Sequence, residues 1–133
     1  MNSEILPFAP ALPSDWQLIL EAEDSTVKSS EALLAWVELD LDASLRFEKS
    51  LLLLSERGLF WTDGKLFEAW PLDKDEQLVH GDHAGVGTLS LETSDRLLRS
   101  WNFTLAVNPQ VLRLQSSFRQ LTRGEEISQG GGE

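Results

Sequence analysis

Cysteine and tyrosine are absent from the 133-residue sequence, and histidine occurs only twice. Without cysteine there is no disulfide framework, no thiolate metal cage and no sulfur nucleophile. No apolar run approaches the ~20 residues that a membrane-spanning helix needs. Positive charge is scarce: 11 Lys plus Arg stand against 22 Asp plus Glu, a formal net charge of −11. That balance repels phosphate backbones and anionic lipid headgroups at long range, so neither nucleic-acid binding nor direct membrane insertion is expected. Arg96, Arg99, Arg113, Arg119 and Arg123 gather in the last third and read as solvated arginines on strand and helix faces. The phosphate-cradling pattern G-x-x-x-x-G-K-S/T is missing as well. The opening MNSEILPFAPALP has no basic region and is broken by prolines, so it does not read as a signal peptide.

What is present fits one domain, long enough to bury a core without staples. Its centre is Leu51 to Leu72, LLLLSERGLFWTDGKLFEAWPL, in which the apolar runs Leu51–Leu54, Leu59–Trp61 and Leu66–Trp70 are separated by two polar breaks. This predicts a β-meander, with Asp63-Gly64 as a two-residue type I′ turn between Trp61-Thr62 and Lys65-Leu66.

Taken in order, residues 1–13 predict an extended arm and 14–123 the folded domain. Ser14 or Asp15 caps a short helix that places Trp16, Ile19 and Leu20 on one face; a strand pairing Trp16, Leu18 and Leu20 is the competing reading. Val37, Leu39 and Leu41 alternate with Trp36, Glu38, Asp40 and Asp42 along a half-buried strand. Leu45 and Phe47 continue as inward positions, and Glu48-Lys49-Ser50 turns the chain into the meander. Gln77 to His80 is a short strand, Gly81 to Gly87 a loop, and Thr88–Glu92 with Leu97–Phe103 a hairpin. Asn108 caps a final helix with Pro109 in its first turn, and Val111, Leu114, Phe118 and Leu121 form the apolar stripe. Gly124 ends that helix, and 124–133 is a tail or linker.

Few residues suggest chemistry. Asp40 and Asp42 share a strand face ~7 Å apart, close enough for an acid and a base, with Arg46 as an ion-pair partner. Solvated strands often look the same, and no nucleophile or cofactor loop accompanies them. His80, Asp82 and His83 offer metal-ligand types, but their spacing is not i, i+4 and nothing completes a shell; Asp82 and His83 are expected to fix the loop by hydrogen bonds. No cofactor and no catalytic residue is assigned. The five tryptophans are expected in the core or half-buried, unless several share an exposed face as an interaction patch.

A short helix, about seven antiparallel strands and a closing amphipathic helix describe a mainly β chain, a roll or barrel resembling the pleckstrin homology-like superfold. The runs LDLDASLRF (Leu39–Phe47), LLLLSERGLFW (Leu51–Trp61), AWPL (Ala69–Leu72), DHAGVGTLSL (Asp82–Leu91) and WNFTLAVNPQVLRL (Trp101–Leu114) are similar to the amino-terminal soluble region of bacterial ATP-binding cassette exporters with fused permease and ATPase. The resemblance implies a non-catalytic accessory domain on the cytoplasmic face of the inner membrane, with the ATPase elsewhere. Its partners would be the membrane and nucleotide-binding domains of the same transporter, or another protein, with a homodimer through the full-length transporter. The alternatives are a ligand- or lipid-recognition module and a small metal- or carboxylate-dependent enzyme.

Overall fold

The computed structural model describes residues 12–22 and 33–123. Most of the expected arm, the polar break over 24–30, the stop at Gly124 and the tail lie outside the described residues.

Helix α1 spans Ser14–Ala22, and its first turn closes on the carbonyl of Pro13, which accepts N–H bonds from Trp16 and Gln17. Trp16 and Leu20 are buried while Leu18 is exposed. That is the helical spacing; a strand would have buried Leu18 with its neighbours.

Strands β1 (Leu33–Leu41), β2 (Phe47–Ser55), β3 (Gly58–Thr62) and β4 (Phe67–Pro71) form an antiparallel sheet in that order. Strands β5 (Gln77–His83), β6 (Val86–Glu92) and β7 (Leu97–Thr104) form a second, also in chain order. A 3-10 turn, Leu105–Val107, leads into α2, Asn108–Thr122. The described residues are thus mainly β, with seven antiparallel strands and a C-terminal helix as expected. The strands remain two sheets, without closing into a barrel.

The LLLL run explains how the layers stack. Leu52 and Leu54 face a core shared with Val37, Leu39, Leu59, Leu89, Trp101, Phe103 and the α2 residues Val111, Leu114 and Phe118. Leu51 and Leu53 face the other way, into a second cluster with Phe60 and the α1 residues Trp16 and Leu20. From Ser50 to Ser55 β2 therefore has no wet face, and each of its four leucines contributes about 1.5–3 kcal/mol by burial.

The turns differ from the expectation at three places. First, Leu45 and Phe47 point outward, and β2 already runs through Glu48–Ser50. The reversal lies at 42–46, where Leu45 has φ 65° and Asp42 Oδ1 accepts the N–H groups of Ser44 and Arg46. Second, Thr62 pairs with Phe67, which makes Asp63–Leu66 a four-residue loop. Only Gly64 has positive φ there, and Asp63 Oδ1 accepts the N–H groups of Lys65 and Leu66. Third, the expected loop over Gly81–Gly87 is a hairpin: β5 continues to His83, which pairs with Val86 across Ala84-Gly85. Those two residues have φ of 54° and 86°, the positive pair that a type I′ turn requires.

Candidate functional site

The six residues singled out by their chemistry do not converge. Asp40, near the end of β1, is bonded to β7: its Oδ1 accepts the Thr104 N–H at 2.8 Å and its Oδ2 the Thr104 hydroxyl at 2.5 Å. Just beyond, Asn102 Nδ2 donates to the Asp42 carbonyl at 3.3 Å. Asp42 itself organises the β1–β2 turn, and Arg46 Nε stands 3.8 Å from its Oδ2 on an exposed side chain. Its carboxyl is held below the ordinary range, foremost by the Arg46 backbone N–H; desolvation opposes this as the next largest effect, and the Ser44 N–H and the Arg46 charge add to the lowering. Asp40 and Asp42 thus tie a sheet junction and a turn.

His80 Nε2 and Asn108 Oδ1 lie 2.7 Å apart, a bond in which the Nε2–H tautomer donates. The imidazole also lies 6.0 Å from the Phe103 ring. Asn108 is already helical, and no side-chain bond caps α2, so its amide secures β5 to α2 in place of the expected cap. Asp82 and His83 are exposed beside the hairpin turn. Their backbones pair with Gly87 and Val86, and this ladder pairing fixes the hairpin. Among the described residues no group of three or more His, Asp or Glu is placed to hold a metal ion.

The feature that sequence reasoning missed lies where the β1–β2 turn, the end of β3 and β7 meet, a cleft of about 300 Å³. Its floor contains Trp61 and Trp101, only 8% and 4% exposed. The Arg99 guanidinium carbon sits 4.5 Å from the centre of the Trp61 ring and 5.5 Å from that of Trp101. Arg99 Nε donates to Glu68 Oε1 at 2.8 Å and Nη1 to the Ser100 carbonyl at 3.2 Å. The indole N–H groups of Trp61 and Trp101 are buried without a protein partner among the described residues. Asp63, at the rim, is pushed up by partial burial but held down overall by the N–H groups of Leu66 and Lys65. The sequence contains the tryptophans and the arginine, but only the packing of one sheet on the other joins residues 61, 99 and 101.

A second cleft, of about 350 Å³, lies between β5 and the end of α2 and includes Glu76 and Arg119. The Glu76 carboxyl is pushed above its usual range by burial and then by the charge of Asp73. Its Oε1 has no protein partner among the described residues. On β5 itself, Gln115 Nε2 donates to the Leu78 carbonyl at 2.8 Å.

No protein-family model matches this chain, and no curated protein matches it. No helix among the described residues is long and apolar enough to cross a membrane.

Proposed function

We propose that this chain is a non-catalytic docking domain of a bacterial ATP-binding cassette exporter. It acts on the cytoplasmic face beside the membrane-spanning and nucleotide-binding parts of the same protein. The observation that supports the reading is where the chemically suggestive residues are engaged. Asp40 is held by Thr104, Asp42 by its own turn and His80 by Asn108. These groups position backbone, and a rigid module that presents a surface has that design. The similarity of the runs DHAGVGTLSL and WNFTLAVNPQVLRL to the exporter regions supplies the context.

The test is association. The 133-residue chain, expressed separately with an affinity tag, is expected to co-purify with the membrane and ATPase region of the exporter, and its deletion is expected to reduce transport. Lack of co-purification together with undiminished transport would remove this reading.

A further inference from the structure

Helix α2 turns Val111, Leu114 and Phe118 into the core. The face left outward carries Leu112, Arg113, Ser116, Arg119, Gln120 and Arg123, every one of them exposed. Its charge is unlike that of the rest of the molecule. From Leu97 to Arg123 the sequence has four arginines and not one Asp or Glu, in a chain where acids outnumber bases by 22 to 11.

A helix face that only meets water neutralises its arginines with carboxylates three or four residues away, and α2 contains none. Arg119 and Arg123 are instead four apart, a like-charge pair that works against the helix. The helix dipole accounts for cations in the last turn, but not for Arg113 near the middle. Asp75 and Glu76 share the second cleft with Arg119, Arg123 and Lys74. Even so, among the described residues no carboxylate oxygen comes within 4.0 Å of a guanidinium nitrogen of Arg113, Arg119 or Arg123.

Three unpaired guanidinium groups in a row call for anionic oxygens, which they bind through two parallel N–H donors. From Arg113 to Arg123 the row rises about 15 Å. A nucleic-acid strand or a bilayer surface extends well past that length and brings its phosphates against the acidic remainder of the chain, beginning with Asp73, Asp75 and Glu76. A short acidic peptide segment touches the arginine face alone. Leu112, 42% exposed, and Pro109 one turn earlier add an apolar contact at the start of the row.

We infer that the outward face of α2, from Leu112 through Arg113 and Arg119 to Arg123, is a docking surface for a short acidic protein segment with an apolar side chain at one end. The inference deepens the docking-domain reading and rests on it for the existence of a partner. The surface itself follows from the acid-free helix and its unpaired arginines.

The experiment selects phage-displayed random dodecapeptides on the immobilised 133-residue chain and titrates the synthetic winner into ¹⁵N-labelled protein. The full chain is used so that Glu125 and Glu126, which follow the helix in sequence, compete as they do in the protein. The expected winners are rich in Asp and Glu with one or two apolar residues, and they should shift the amide signals of Leu112, Arg113, Ser116 and Gln120. Arg113→Glu and Arg119→Glu should each weaken binding by about tenfold. Arg46→Glu, the same change of charge on a side chain 79% exposed in the β1–β2 turn, is the unaffected control. No enrichment, winners without an excess of acid, shifts that avoid α2, or equal affinity for Arg113→Glu would each overturn the proposal. Phosphatidylglycerol vesicles or an oligo-dT strand bound through the same arginines, with no acidic peptide enriched, would overturn it in favour of a polyanion surface. Failure of the exporter association alone would leave these measurements standing, so the two readings fail separately.

Discussion

Asp40 on β1 and Thr104 at the end of β7 form a two-point clasp: one carboxylate oxygen takes the backbone N–H and the other the hydroxyl of the same residue. β1 and β7 belong to different sheets, so this clasp provides directional bonds across the junction where ladder pairing stops.

Removing it should therefore cost more than a surface carboxylate would. Asp40→Ala is expected to lose about 2–3 kcal/mol of unfolding free energy, the range for charged hydrogen bonds and an orphaned donor. Thr104→Val, which keeps the backbone N–H bond, should lose less. Urea denaturation of the two variants checks the order, and an Asp40→Ala protein as stable as its parent would refute the clasp.

Two glycines are fixed by space. A β-carbon on Gly87 would lie 2.2 Å from Phe103 Cε2, and one on Gly58 2.4 Å from the Trp70 carbonyl oxygen. Phe103 is fully buried and the Trp70 oxygen is backbone, so neither gives way easily. Gly87→Ala and Gly58→Ala should each destabilise by about 1–3 kcal/mol or more. Gly81→Ala, whose β-carbon would meet only the Thr88 hydroxyl at 3.3 Å, should be milder. Thermal melts of the three variants provide the comparison.

Burial of β2 on both faces predicts selective coupling. Trp16 shares its cluster with Leu53, whereas Leu52 belongs to the core on the other side of the sheet. Leu52→Ala and Leu53→Ala should each cost about 2–5 kcal/mol. In double-mutant cycles Trp16→Ala should couple to Leu53→Ala by about 0.5–3 kcal/mol and add simply to Leu52→Ala. The reverse pattern would mean that α1 does not pack where it is described.

Glu76 sets a pH dependence of definite sign. Its folded carboxyl titrates above the ordinary glutamate value of 4.5, because burial and then Asp73 disfavour the charged form. The folded state thus binds more protons than the unfolded chain between that value and the raised one, and stability falls as pH rises through this window. Glu76→Gln should raise the melting temperature at neutral pH and lose that advantage below pH of about 4. Asp42 and Asp63, with lowered values, act oppositely: their contribution is complete above the ordinary aspartate range and disappears as pH falls through the lowered values. A Glu76→Gln advantage that grew on acidification would contradict the assignment.

Much of the architecture could be read from local pattern. Alternation identified β1, the stripe from Val111 to Leu121 identified α2, and the Leu51–Leu54 run identified a strand of the meander, although its cover on both faces emerges only from the packing of α1 and the second sheet. Turn geometry was harder. Asp63-Gly64 has the type I′ residues but forms a four-residue loop, because the Asp63 side chain bonds to its own backbone two and three residues on. Ala84-Gly85 adopts the positive-φ pair with an alanine that rarely signals it. In β7, a register shift opposite Leu91 and Glu92 leaves Leu97 exposed and brings Leu98 against the core, which strict alternation could not foresee. The Trp61–Arg99–Trp101 cleft was the least legible, since its parts come from separate sheets and no local spacing relates them.

β4 is the outer strand of its sheet, only five residues long, and it ends in proline. Pro71 has no N–H to offer a newcomer, and so short a rail gives an incoming strand little to grip. The side of the molecule most open to runaway polymerisation is thereby blunted, and a crowded solution of this domain should stay free of fibrils.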